Sequence, residues 1–191
     1  NGSFGFPAFP DEDIRYMKNL GGGFLNDCGC YPICASRMIF DAEPIGVSCN
    51  LSVDPKTGVD VRGTSYMTFD GEKTASITYG TGNYYQAQYE VWGSDGIISL
   101  ERAYSIPPDL KAKMKIQFST QHDWDSRKNE TLEVNTSDHF LEMINAFCLE
   151  IQGRKKIAYD IEKDLIDQAR VMEAHRVSSE EKRFIPLDEI V

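Results

Sequence analysis

Residues 21–40, GGGFLNDCGCYPICASRMIF, decide how the rest of the chain is read. Gly21, Gly22 and Gly23 lead into Leu25, Asn26 and Asp27, and an apolar run with Tyr31 at its start follows. Glycine takes positive φ or lets another backbone come close, so the triplet predicts a turn at a packed junction. Asn26 and Asp27 are favourable N-cap residues, and Pro32 is tolerated in a first helical turn although it can also break a weak helix. A helix starting here puts Asp27 and Tyr31, four apart, on one face. A carboxylate and a phenol held together can position and protonate a substrate oxygen. The same spacing also describes a capped helix whose tyrosine packs in the core, and both readings stay open.

Upstream, residues 1–20 begin with Gly, Phe and Pro and then turn charged, which predicts an irregular arm and a short helix over 11–19. Arg15 is either a substrate hydroxyl or carboxylate contact, through its fork of donors, or half of a surface salt bridge. Downstream, residues 41–44 are a stop and strands follow quickly. Residues 45–53 are rich in β-branched side chains, and 54–58 form a turn by composition. Over 59–69, Val59, Val61, Gly63, Ser65, Met67 and Phe69 fall on one face, with Asp60, Arg62, Thr64, Tyr66 and Thr68 opposite. Asp70-Gly71 signals a hairpin into 73–79. Further strands are expected at 84–92 and 97–101, with shorter, charged ones at 113–120 and 131–134 belonging to a sheet edge.

Two helices close the chain. Ser137 is a candidate N-cap for 138–152, where Phe140, Ile144, Phe147 and Ile151 make an apolar stripe at helical spacing. Asp160 caps the next, which runs to about Val177, and 184–187 is a closing strand or arm. Short turns between strands give an antiparallel meander. The expected fold class is therefore α+β, a predominantly antiparallel open sheet with helices packed on one face, forming a single domain over 1–191. On the other face, Thr64, Tyr66, Tyr85 and Tyr89 mix polar and aromatic character, which suits either a partner subunit or solvent.

At 191 residues the chain is long enough for one sizeable core and short for two. A net charge of −10 argues against a nucleic-acid backbone or an anionic membrane surface as partner. No apolar run approaches the ~20 residues that span a bilayer, and no signal peptide is visible. Cys28, Cys30, Cys34, Cys49 and Cys148 make an odd count without a spaced framework. Metal ligation by the first three lacks a completing pair, so free thiols in a reducing cytoplasm are the expectation, with no metal. His122, His139 and His175 are scattered and read as structural or surface groups.

Gly21, Gly22, Gly23, Leu25, Asp27, Gly29, Tyr31, Pro32 and Arg37 resemble the signature that opens the C-terminal domain of the Gfo/Idh/MocA oxidoreductases. Asp13-Ile14-Arg15 is similar to the branch containing dihydrodiol dehydrogenase and some aldose dehydrogenases, which carries Tyr at the Tyr31 position where many members have His. The likeness continues through 93–96, Asp138-His139-Phe140 and 168–174, so it covers nearly the whole chain in order.

The resemblance implies a glyceraldehyde-3-phosphate dehydrogenase-like C-terminal fold whose open sheet face packs against a second copy, giving a homodimer. It also implies hydride transfer between a sugar, polyol or diol and NAD or NADP. The cofactor is held mainly by an N-terminal Rossmann domain. No Gly-x-Gly-x-x-Gly follows an apolar strand here, and the Glu-Lys-Pro carrying the family's catalytic Lys is absent. The chain is thus expected to be a substrate-binding half, inactive without its Rossmann domain. By this resemblance Tyr31 and Asp27 are the catalytic residues, Tyr31 as acid/base and Asp27 orienting the hydroxyl or the missing Lys. Arg15 and Asn26 are the substrate-binding ones. A free tyrosine has a pKa near 10, so the role asks for a neighbouring cation. A non-catalytic assembly or ligand-binding module that keeps the fold is the alternative.

Overall fold

The computed structural model describes residues 1–119, 126–157 and 160–191. In chain order the elements are β1 (Gly2–Phe6), a helical turn Leu25–Gly29 running into α1 (Cys30–Phe40), β2 (Gly46–Val53), β3 (Asp60–Thr68), β4 (Thr74–Thr81), β5 (Gln86–Trp92), β6 (Gly96–Leu100), β7 (Lys113–Ser119), β8 (Arg127–Glu133), α2 (His139–Ile151), α3 (Ile161–Glu181) and β9 (Ile185–Pro186). They fall into two compact units, residues 1–87 with 165–191, and residues 88–164.

In the first unit the strand order is β1-β4-β3-β2-β9. Strands β2, β3 and β4 form the expected antiparallel meander, with Tyr66 opposite both Ser48 and Ser76. Strand β1 replaces the irregular arm expected at the start of the chain. It lies parallel to β4 with Phe4 opposite Tyr79. Gly2 and Gly5 lower its strand propensity, and burial of Phe4 supplies what propensity does not. In place of a helix over 11–19 there are two single 3-10 turns, Ile14–Tyr16 and Lys18–Leu20.

The alternation along β3 is as read, with Gly63, Ser65 and Met67 buried and Thr64 and Tyr66 exposed. Asp60 is the exception. The β2–β3 register steps from Ser52 opposite Arg62 to Val53 opposite Asp60. This bulge turns the Asp60 carboxylate to the helix side, where Leu25 lies. Tyr85 likewise lies against Phe4, the neighbour of Tyr31, and not on the open face.

Helices α1 and α3 cover one face. Helix α1 packs on β1 and β4. Helix α3 seats Val171, Ala174 and His175 against the sheet, fully buried. Gln168 of α3 donates to the Cys30 carbonyl (3.1 Å) and accepts from Arg37 Nη1 (2.8 Å), tying the two helices together. Strand β2 pairs with β9 only at Gly46 and Val47, which leaves its outer N–H groups in need of partners. Ser178 Oγ and Ser179 Oγ accept them from Cys49 (2.8 Å) and Leu51 (2.9 Å). That part of the edge is closed to strand addition.

In the second unit β5, β6, β7 and β8 form an antiparallel sheet with β8 outermost. Strand β8 begins four residues earlier than expected and is exposed throughout, the charged edge that its composition suggested. Asp138, not Ser137, caps α2, accepting from the N–H groups of Phe140 and Leu141 (3.1 Å each). The α2 stripe has the right period, yet none of its residues is buried, and Ile151 is 71% exposed. Asp160 caps α3 through the Lys163 N–H as read. No helix among the described residues is long and apolar enough to cross a membrane. His122 lies outside the described residues.

Candidate active site

The glycine triplet makes the turn that its composition predicted. Gly23 N–H donates to the Arg15 carbonyl (2.9 Å) and Gly22 N–H to that of Met17 (3.0 Å). A Cβ on Gly22 would lie 2.6 Å from the Arg15 carbonyl oxygen, so this backbone approach needs glycine. Gly23 has φ +123° and faces the Asp60 carboxylate, which a side chain there would strike.

The helix that follows does not begin as an α-helix. Leu25–Gly29 is a π turn, closed by the Cys30 N–H on the Leu25 carbonyl, and α1 proper starts at Cys30. Pro32 supplies a physical reason. It has no N–H to give and its ring crowds the carbonyl four residues back, and a widened turn relieves both. Neither Asn26 nor Asp27 caps the helix. The cap comes from β3, where Asp60 Oδ2 accepts the Leu25 N–H at 2.6 Å. Burial pushes the Asp60 carboxyl above its ordinary range, and the Leu25 hydrogen bond partly opposes that.

Asp27 and Tyr31 sit one turn apart on this continuous helical segment, Tyr31 40% exposed. Asp27 Oδ1 lies 2.8 Å from Arg15 Nε, outside hydrogen-bond alignment, so the contact is an ion pair. Arg15 Nη1 reaches both Asp13 oxygens (3.1 and 3.3 Å), and the guanidinium stacks 4.4 Å from the Phe9 ring centroid. Asp27 chiefly, with Asp13, raises the guanidinium above its ordinary pKa. Arg15 therefore makes the salt bridge that was one of its two readings. Asn26 is engaged at both ends. Its Nδ2 donates to the Gly21 carbonyl (3.1 Å) and its Oδ1 accepts from Arg176 Nη2 of α3 (2.6 Å). The Tyr31 ring meets Phe4 edge-on at 5.2 Å, and Phe4, Phe6 and Phe9 continue as an aromatic row toward Arg15.

Asp13, Asp60 and Arg176 went unread as site residues. Asp13 had a visible signal, an Asp two residues before Arg15 at the start of a turn. Asp60 had none, because a bulge moves it to the other face. The five cysteines are free, and burial pushes Cys30 up to about 11 and Cys49 up to about 12, which makes them unreactive. No group of three or more His, Cys, Asp or Glu among the described residues is placed to hold a metal ion.

A glycine-rich turn before a helix invites comparison with a dinucleotide cradle, where backbone N–H groups hold a pyrophosphate. Here the first of those N–H groups is already bound by the Asp60 carboxylate, an anion in the place a phosphate would take. The residues present do not fit the pyrophosphate of a nicotinamide dinucleotide.

Residues 1–99 match the model of the GFO/IDH/MocA C-terminal domain. The chain belongs to that family. It is 31% identical over 178 residues to a dTDP-3,4-didehydro-2,6-dideoxy-alpha-D-glucose 3-reductase of Saccharopolyspora spinosa, covering 90% of this chain and 51% of that protein. A D-xylose 1-dehydrogenase (NADP(+)) of Haloferax volcanii is 26% identical, over 98% of this chain and 55% of its own length. Among solved structures, the 3-ketoreductase KijD10 of Actinomadura kijaniata, in complex with NADP and TDP-benzene, superposes with a TM-score of 0.82 at 28% identity, covering 93% of this chain and 52% of that one. The chain thus spans about half the length of these relatives. Its mostly antiparallel sheet with helices packed on it is the fold expected of this oxidoreductase family domain.

Proposed function

We propose that this GFO/IDH/MocA domain is the substrate-binding and dimerisation half of an NAD- or NADP-dependent oxidoreductase acting on a sugar, polyol or diol. The observation that carries the reading is the Asp27–Tyr31 segment. It presents a carboxylate and a half-exposed phenol from a helix whose start is fixed by Gly23 and Asp60. Tyr31 exchanges the proton of the reacting hydroxyl, and Asp27 accepts a hydrogen bond from that hydroxyl and orients it. Asn26 and Arg15 border the site. The nicotinamide is held by a Rossmann half outside this chain, in keeping with an N–H group already taken by Asp60. The relatives' activities on sugars, one of them with NADP(+), support the substrate class. A second copy covers the polar–aromatic sheet face at Thr64 and Tyr66. Five free cysteines suit a reducing, cytoplasmic setting.

The test is turnover by the protein encoded by the intact gene, followed by nicotinamide absorbance across aldoses, polyols and dTDP-sugars. Turnover of at least one class is expected. The 191-residue chain alone, titrated with NADH and NADPH, should bind neither up to millimolar. Absence of any turnover, or micromolar nucleotide binding by this chain, would overturn the reading.

A further inference from the structure

Arg15 is held at its backbone, at two of its three guanidinium nitrogens and on one face of the guanidinium, with its side chain 33% exposed. Its backbone N–H is bound by Asp13 Oδ1 (3.0 Å) and its carbonyl by the Gly23 N–H (2.9 Å). Its guanidinium lies on Phe9, with Nη1 on Asp13 and Nε buried against Asp27. Two carboxylates thus share one cation, and the three side chains together carry one negative charge. With Nε and Nη1 committed in this way, Nη2 alone is left on the fork, short of the paired donors that a bidentate contact with a substrate anion or diol takes. What it does offer is a fixed position for the Asp27 carboxylate, since an unpaired aspartate at a half-exposed helical turn would sample several rotamers. The Gly22–Arg15 approach makes the arrangement stiff, because the peptide that carries Arg15 is pinned to the turn that opens the Asp27 helix.

We infer that Arg15 is a positioning residue, acting on turnover through Asp27 and touching no substrate group itself. The inference rests on the proposed role of Asp27. Its signature is non-additivity. Once Asp27 can no longer accept the ion pair, Arg15 has nothing left to position.

The experiment is a double-mutant cycle in the intact enzyme, with the best-used sugar from the panel above and its preferred nicotinamide. Arg15→Gln is expected to lower kcat by about 10- to 100-fold with KM for the sugar moved less than about 2-fold. Asp27→Asn lowers kcat by a similar or larger factor, and the double variant falls no further than Asp27→Asn alone. Arg15→Lys, which keeps the charge without the fork, recovers only part of the loss. A rise in KM at constant kcat in Arg15→Gln, or a double variant that falls by the product of the single losses, would show a substrate contact and overturn the inference. If Asp27→Asn alone changes nothing, the proposed role of Asp27 fails instead. A second readout uses this chain without turnover. Asp27→Asn should shift the Arg15 Nε–H signal in a 1H–15N spectrum, and an unmoved signal overturns the inference whatever the kinetics show.

Discussion

Arg37 and Glu43 are locked in a two-pronged ion pair, Nε to Oε2 and Nη2 to Oε1 both at 2.7 Å, with the arginine 5% exposed. Arg37 stands near the end of α1, and Glu43 follows the left-handed Asp41 (φ 48°) that terminates the helix. The third prong, Nη1, goes to Gln168 of α3. One buried guanidinium therefore joins the end of α1, the turn after it and the neighbouring helix.

Glu43→Ala should be costly for that reason. It leaves a buried cation short of its carboxylate, a situation worth about 3–5 kcal/mol in buried pairs, reduced here because Glu43 is 34% exposed. Removing both partners in Arg37→Met/Glu43→Ala should recover part of the loss. Urea unfolding of the two variants checks the order. A double variant less stable than Glu43→Ala would contradict it.

Asp60→Asn and Asp60→Ala separate the cap from the charge. The amide oxygen of Asn still accepts from the Leu25 N–H, whereas Ala loses the cap, at a cost of about 1–2 kcal/mol. Because burial raises the folded pKa of Asp60, folding takes up a proton at this group. Its contribution is present below the unfolded carboxylate pKa and is lost as pH rises through the folded one. Asp60→Asn should remove that slope, measured as unfolding free energy against pH in the acid range.

His175 predicts the opposite slope. It is fully buried, with Nδ1 2.7 Å from the Val171 carbonyl and Nε2 3.0 Å from Ser65 Oγ, and burial pushes its pKa down to about 4. The unfolded histidine binds its proton near pH 6.5, so stability is whole above that value. It drains as pH falls toward about 4, by about 3 kcal/mol in all. His175→Gln should flatten the curve between those limits. An unchanged curve would mean that another group controls it.

The sheet was largely legible, because Val59 to Phe69 alternate and Asp70-Gly71 mark the hairpin with local chemistry. Strand β1 was not, since Gly2 and Gly5 have no strand signal and its pairing partner Ile77–Thr81 lies far along the chain. The candidate site divides in the same way. The glycine turn and the one-turn spacing of Asp27 and Tyr31 could be read from the residues, whereas the choice between a site pair and a packed tyrosine came from the family resemblance and not from spacing. The cap could be read from neither, because Asp60 reaches Leu25 only through a bulge, and a one-residue change of register reverses which face a side chain takes. The α2 stripe shows the converse limit: Phe140, Ile144 and Phe147 fix a helix by their period, and period says nothing of what covers it.

Tyr31→Phe tests the chemistry with little disturbance to the fold. The edge-on contact with Phe4 belongs to the ring, which phenylalanine keeps, and the phenol lies at a half-exposed position. The unfolding free energy of this chain should stay within about 1 kcal/mol of the parent, as surface changes usually do. In the intact enzyme, kcat should fall by ~10²–10⁴, the usual worth of a positioned proton-transfer group. The fall should appear in kcat and kcat/KM together, because the proton moves only on the way to the transition state. A variant that turns over at a near-normal rate would remove Tyr31 from the mechanism and leave Asp27 to be tested as the proton carrier in its place.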